Sequence, residues 1–230
     1  MRFNYWEDFL SLVFPETCCL CNRSLFPFEE QLCKICISRL PITNYHLIPD
    51  ENDLKTKLLG LAAVEKVMAY LRFSKKGLSQ RLLHQIKYRN KPMLAKVLGI
   101  QYGNLLKETY DSNTWDFVTP VPLHKSKLSI RGYNQSEQFA VGIAEALEIE
   151  CKLFLSRKLP TLTQTNKSRI ERWENVTNVF DACFTEEIKG KRLLLVDDVM
   201  TTGATLASCA HTLTTHQPDT LDLAVLAAGK

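Results

Sequence analysis

Residues 193–205 constrain this chain more than any other stretch. An apolar run, Leu193-Leu194-Leu195-Val196, ends in two adjacent carboxylates, Asp197 and Asp198. Two residues later Thr201-Thr202-Gly203-Ala204-Thr205 forms a turn that opens onto an apolar helical pattern, Ala204 to Leu213. A buried strand that turns through a glycine into a helix belongs to an α/β sheet. The free amides and the dipole at such a helix N-terminus attract a phosphate, threonine hydroxyls add donors, and Gly203 permits close backbone approach. Asp197 and Asp198 would repel a phosphate. They suit ribose hydroxyls or a bridging magnesium ion.

The rest of the chain fits the same architecture. Strands are expected over Trp115 to Val121, Lys152 to Leu155, Arg192 to Val196 and Leu221 to Leu226, and a helix over Asn134 to Glu148. Alternating strands and helices imply a parallel sheet with right-handed crossovers, whose ligands bind beyond the strand C-termini. Upstream, Leu78 to Tyr88 and a segment opened by Pro92 read as helices, whereas Ala62 to Phe73 fits helix or strand. Residues 4–13 have amphipathic helical spacing, and Pro41 to Asp53 reads as a linker. Leu159 to Asn178 is polar, without a core face, and reads as a long mobile loop. The expected division is 1–40, 41–110 and 111–230.

Eight cysteines form a second constraint. Cys18-x-x-Cys21 and Cys33-x-x-Cys36 are two knuckles whose thiolates can occupy the four corners of a structural zinc site. A closed four-thiolate shell has no open position for catalysis. Cys19 is expected to pack, although it could replace a neighbouring ligand. Cys151, Cys183 and Cys209 read as small core hydrophobes. The beginning of the sequence (Met1, Arg2, Phe3, then Glu7 and Asp8) lacks the pattern of a secretory signal, and no apolar stretch is long enough to span a bilayer. The expectation is a cytoplasmic protein with reduced thiols and no membrane insertion.

Net charge is +4, but it is unevenly distributed. From Lys66 to Lys107 there are ten Lys or Arg and no acid; Phe117 to Ser136 adds Lys125, Lys127 and Arg131, again with no acid. An anion belongs near these segments. Tyr70, Phe73, Tyr88 and Tyr102 are interleaved with them, which would suit single-stranded nucleic acid, and the charge equally suits a small polyphosphate. A solvated helical face remains the plain alternative for most of the lysines. The cysteine module itself is net negative with zinc bound, so a structural or docking role is expected there.

The Asp-Asp-x-x-Thr-Thr-Gly-x-Thr block resembles the phosphoribosyl pyrophosphate (PRPP) motif of type I phosphoribosyltransferases. Together with the two knuckles, Pro120-Val-Pro122-Leu-His124, Arg131-Gly-Tyr-Asn134-Gln135, and Thr163-Gln164 before Arg169 and Arg172, the whole chain is similar to the ComF family. That resemblance implies a type I phosphoribosyltransferase-like parallel sheet flanked by helices, with an N-terminal four-cysteine zinc module. It also implies a role in natural competence, the uptake of DNA. By motif, Asp197 and Asp198 would hold the ribose hydroxyls, partly with magnesium, and Thr201, Thr202, Gly203, Ala204 and Thr205 the 5′-phosphate. His124, Arg131, Asn134 and Gln135 would meet the pyrophosphate. Gln164, Lys167, Arg169 and Arg172 would belong to a closing lid, and Lys87, Tyr88, Arg89 and Lys91 would meet an acceptor or nucleic acid. The implied reaction is displacement of pyrophosphate from ribose C1′ by a nitrogen nucleophile. The competing reading is a non-catalytic competence component that binds single-stranded DNA, or a partner such as a competence ATPase/helicase or recombination loader, on the same scaffold.

Overall fold

The computed structural model describes residues 15–158 and 179–229. The helix expected over 4–13, the polar segment 159–178 with Gln164, Lys167, Arg169 and Arg172, and also Trp6 and Trp173, lie outside the described residues.

Five strands form one parallel sheet: β1 (Val67–Arg72), β2 (Phe117–Pro120), β3 (Glu150–Cys151), β6 (Arg192–Met200) and β7 (Thr220–Ala228). Their order is β1-β7-β6-β2-β3. Two more strands, β4 (Leu155–Arg157) and β5 (Phe180–Ala182), pair antiparallel beside it. Alternate residues of the sheet supply two cores. Met68, Tyr70, Leu194, Val196, Ala224 and Leu226 pack with α4 (Pro92–Thr109) and α6 (Gln135–Leu147). Val67, Ala69, Leu193, Leu195, Leu223 and Val225 pack with α2 (Asp53–Leu58) and α7 (Ala204–Thr214). Burial on both faces explains why these strands read as continuous apolar runs. Asp222 interrupts β7 and is 1% exposed, but its carboxylate accepts from the Lys66 amide (2.9 Å), Lys66 Nζ (3.3 Å) and Trp115 Nε1 (2.8 Å). Its charge is therefore compensated inside the fold.

The helices follow their sequence signals. In α3 (Leu78–Tyr88) Leu82, Leu83 and Ile86 are buried, and α4 begins on its proline. Asn134 caps α6 by accepting from the Ser136 amide at 3.2 Å, and Glu148 ends it in the left-handed region. α4 and α6 approach closely where Gly99 meets Gly142: a Cβ on Gly99 would lie 2.2 Å from the Phe139 carbonyl oxygen.

Five local expectations change. The ambiguous stretch before Phe73 is strand β1, because each of Val67 to Leu71 is buried between the two helical layers. This edge strand comes from within 41–110 and joins the same sheet as β2, β6 and β7. The segment read as a linker runs along it: the Thr43 amide donates to Tyr70 O, the Arg72 amide to Pro41 O, and Asn52 Nδ2 to Val67 O. A strand over Lys152 to Leu155 is replaced by β3 before it and β4 after it, since the chain leaves the main sheet there for the small one. The turn after β2 contains a helix, α5 (Lys125–Arg131), capped by His124 Nδ1. β6 continues four residues past Val196, through both aspartates to Met200, because its pairing with Val225, Ala227 and Ala228 continues.

The cysteine module precedes the sheet. A bridge between Thr17 and Ser24 closes the first knuckle, and Cys33 precedes α1 (Lys34–Ser38). Cys18, Leu20, Leu32 and Cys33 share a core with Leu82, Leu83 and Ile86 of α3, and Arg81 donates to the Leu20 carbonyl.

Candidate phosphate and ribose site

β2 and β6 are neighbours, but the chain leaves them in opposite directions. β2 leads through α5 and α6 to β3 on one side, and β6 leads through α7 to β7 on the other. A sheet of this kind opens a crevice where its connections part. The two aspartates stand at that point.

Asp197 is buried, and its Oδ1 accepts from Ser136 Oγ at 2.7 Å and from the Asp198 amide at 2.8 Å. Burial and the neighbouring Asp198 charge push its carboxyl up to about 7, against the opposing pull of Ser136, the Asp198 amide and Lys87. Asp198 is more open, and Lys87 Nζ sits 2.9 Å from its Oδ2. Beyond them, Thr201 and Thr202 are exposed and Gly203 is buried with φ +80°. A Cβ there would lie 2.8 Å from Leu58 Cδ2, so the turn requires glycine in both conformation and space. The first helical hydrogen bond of α7 runs from the Ala207 amide to Gly203 O, 2.8 Å. Residues 204–206 therefore present their amides at the open end of the helix, and a small hollow there is lined by Asp197 and residues 199–206.

Positive charge gathers opposite. Partial burial holds the Lys127 ammonium below its ordinary value, and the charges of Arg157, Arg131 and Lys87 lower it further against Asp198. Burial also lowers Arg157, opposed by Cys209 and Asp197. Lys87, Tyr88, Asn90, Lys127, Ile130 and Arg131 line a cleft of about 330 Å³.

The sequence candidates divide accordingly. The Asp pair and Thr201–Thr205 form one continuous site, and Lys87 reaches it across 111 residues of chain. Arg131 and Tyr88 belong to the adjoining cleft; Arg89 and Lys91 are exposed and are not among its lining residues. Asn134 and Gln135 turn inward. Asn134 caps α6 and donates to Val121 O, and Gln135, 2% exposed, accepts from Arg131 and donates to Tyr133 O. His124 Nδ1 faces its own helix, 2.7 Å from Ser126 Oγ. Ser136, Lys127 and Arg157 were not singled out as site residues in the sequence. Lys127 carried a signal only as part of an acid-free stretch. The stacking platform inferred from interleaved aromatics is corrected: Tyr70 and Tyr102 are buried against each other, ring centroids 5.0 Å apart, and Tyr88 is the exposed tyrosine of that group.

The four knuckle cysteines converge. The sulfurs of Cys18, Cys21, Cys33 and Cys36 lie within 4.8 Å of one another, an arrangement compatible with a structural metal. Burial raises the Cys18 thiol, but the amides of Cys33, Cys21 and Leu20 outweigh it and bring it to about 6. Burial and the neighbouring thiols hold Cys36 well above the ordinary thiol range. The Cys18 thiolate thus forms readily, whereas Cys36 needs a cation to join it. Cys19 points elsewhere, 3.5 Å from Gln31 Oε1.

Residues 133–230 match the family model for the phosphoribosyl transferase domain. Among curated proteins, competence protein F of Haemophilus influenzae is 30% identical over 131 residues, 54% of this chain and 57% of that protein. Competence protein ComFC of Bacillus subtilis is 26% identical over 83% of this chain and 82% of its own length. The chain is thus similar to ComF-family proteins over much of its length. Another relative, the DNA utilization protein YhgH of Escherichia coli K12, is 27% identical over 88% of this chain and 92% of its own length. The match spans less than two thirds of the Haemophilus protein. Among solved structures, a glutamine PRPP amidotransferase from B. subtilis has a TM-score of 0.40 at 22% identity, covering 59% of this chain and 26% of that one. Among the described residues no helix is long and apolar enough to cross a membrane.

Proposed function

We propose that this chain is a ComF-family protein that binds PRPP at the end of β6 and transfers its phosphoribosyl group to a nitrogen acceptor, in the service of DNA uptake. The supporting observation is the continuity of the Asp197–Asp198 pair with the open N-terminus of α7 across the Gly203 turn. Amides of residues 204–206 and the hydroxyls of Thr201, Thr202 and Thr205 would take the 5′-phosphate. Asp198, once Lys87 yields it, would accept from a ribose hydroxyl, and Ser136 would hold Asp197 in place behind it. Lys127, Arg131 and Arg157 would receive the negative charge that develops on the departing pyrophosphate.

Magnesium fits this donor set, because two carboxylates plus ligand oxygens and water are its usual partners, and Asp197 and Asp198 would hold it. When bound it supplies charge neutralisation of the leaving group. Zinc is the metal proposed for the four thiols, on the grounds of ligand type and the convergence of four sulfurs. The relatives' names, competence protein and DNA utilization protein, support the cellular role.

Calorimetric titration of magnesium-PRPP tests the reading. Binding by the wild type, lost in the Asp197→Asn/Asp198→Asn double variant, is expected. No binding by folded, zinc-loaded protein overturns it. A second reading, single-stranded DNA binding, draws on the exposed Tyr88, Arg89 and Lys91 beside the cleft. It requires salt-sensitive mobility shifts that weaken on charge reversal at Lys87, Arg89 and Lys91, and no shift at low salt removes it.

A further inference from the structure

Lys87 holds the place at the acidic pair that a metal ion would need. Its ammonium lies 2.9 Å from Asp198 Oδ2, and its charge opposes the burial and the Asp198 charge that push the Asp197 carboxyl up. This is not a loose surface contact. The two side chains are 23% and 15% exposed, against 49% and 79% for Lys107 and Glu148, a pair on the outside of the molecule. The lysine is also firmly mounted. It stands in the last turn of α3, where Leu82, Leu83 and Ile86 are buried, and the Tyr133 hydroxyl donates to the Ile86 carbonyl. Its surroundings are cationic. Lys127, partly buried, feels the charges of Arg157, Arg131 and Lys87.

Two ways of bringing a divalent ion to the pair differ in their cost. A free ion would have to displace the ammonium and enter against the charge of Lys127, Arg131 and Arg157. An ion carried on a diphosphate arrives in a complex of net negative charge, with phosphate oxygens already among its ligands. Lys87 then loses one anionic partner and meets another, because it also lines the cleft with Lys127 and Arg131. We infer that Lys87 is a specificity-determining residue of the proposed PRPP site: it bars free divalent metal from Asp197 and Asp198 and gives way only to metal brought by the diphosphate. The inference rests on the PRPP reading above and deepens it. A lysine that only supports the fold would produce the same ion pair, but its removal would not improve metal binding.

Manganese(II), which takes the same oxygen ligands, is titrated alone into the full-length, zinc-loaded protein, and the unbound ion is measured by electron paramagnetic resonance. Wild type is compared with Lys87→Met, Lys87→Gln, Lys87→Arg and Lys87→Met/Asp198→Asn, each checked for folding by circular dichroism. Lys87→Met and Lys87→Gln are expected to bind manganese at least about tenfold more tightly than the wild type. Lys87→Arg should stay near the wild type, and the double variant should lose the gain. Unchanged manganese affinity in whichever neutral variant folds, or a gain that survives Asp198→Asn, overturns the inference. Magnesium-PRPP is titrated into the same proteins. A manganese gain without any PRPP binding would sink the proposed function and leave the role of Lys87 as a bar to free metal standing; PRPP binding without a manganese gain would do the reverse.

Discussion

Asp197 carries an energetic conflict within a single residue. It is a carboxylate buried beside another carboxylate, with one serine hydroxyl and one amide to hold it. Its carboxyl titrates near 7 in the fold against 3.8 ordinarily, so the folded state binds this proton more tightly than the unfolded chain does. The stabilisation is complete below about pH 4 and is lost as pH rises through 7. Asp197→Asn removes the titration while keeping the shape. In ligand-free protein, denaturant unfolding from pH 4 to 8 is expected to show variant and wild type converging at the acid end. The variant gains steadily toward pH 7, with a constant advantage above it. Parallel curves across the range would mean that Asp197 is not strained as described. The conflict also has a functional sense, because a cation or hydroxyl donor arriving at the pair would relieve it.

Helices α4 and α6 illustrate the next scale. They carry the wall of the site: α6 begins at Asn134, Gln135 and Ser136, so its position sets where the Ser136 hydroxyl meets Asp197. Its depth against α4 depends on Gly99 and Gly142, whose backbones touch. Gly99→Ala puts a methyl group against the Phe139 carbonyl and is expected to cost at least about 1–3 kcal/mol by overpacking, measured by urea unfolding. It should also weaken PRPP binding, since α6 must move outward and take Ser136 with it. Glu145→Gln, which breaks the 2.7 Å Lys96–Glu145 ion pair between the same two helices without adding volume, controls for a general weakening of their contact. β6 acts at this scale too, because its extra four paired residues place both aspartates in a strand rather than in a loop.

At the scale of the molecule, the cysteine module is not an appendage to the sheet. Its buried cysteines and leucines share one core with α3, the helix that ends in Lys87 and Tyr88. Chelating the zinc proposed for the four thiols should therefore disturb the candidate site from a distance. Tm is expected to fall by at least about 5 °C, at about 2–4 °C per kcal/mol of metal-derived stability lost. Unfolding followed by circular dichroism and by tryptophan fluorescence should remain one transition. Two separated transitions would show the module to be energetically independent. Affinity for magnesium-PRPP should decline in the metal-free protein before it unfolds, through α3 and its contact with Asp198.

Much of this was legible in the chain. Local chemistry wrote the boundaries of α3, α6 and α7 and the start of α4, through apolar periodicity and a proline start. The Asp-Asp and Thr-Thr-Gly pattern marked the candidate site, and the paired Cys-x-x-Cys knuckles marked the four cysteines that converge. Those signals act over a few residues, so they survive in one dimension. What only the tertiary structure decided lies across long separations: Ser136 on Asp197, 61 residues apart, Lys87 on Asp198, and Lys127 with Arg157 around them. It also turned Asn134 and Gln135 inward, buried Tyr70 and Tyr102, and left Tyr88 in the open. Sequence spacing carries the type of a side chain and the face of its element. Which opposing element meets that face is set by packing of the whole chain, and at this site packing decides which charges stand together.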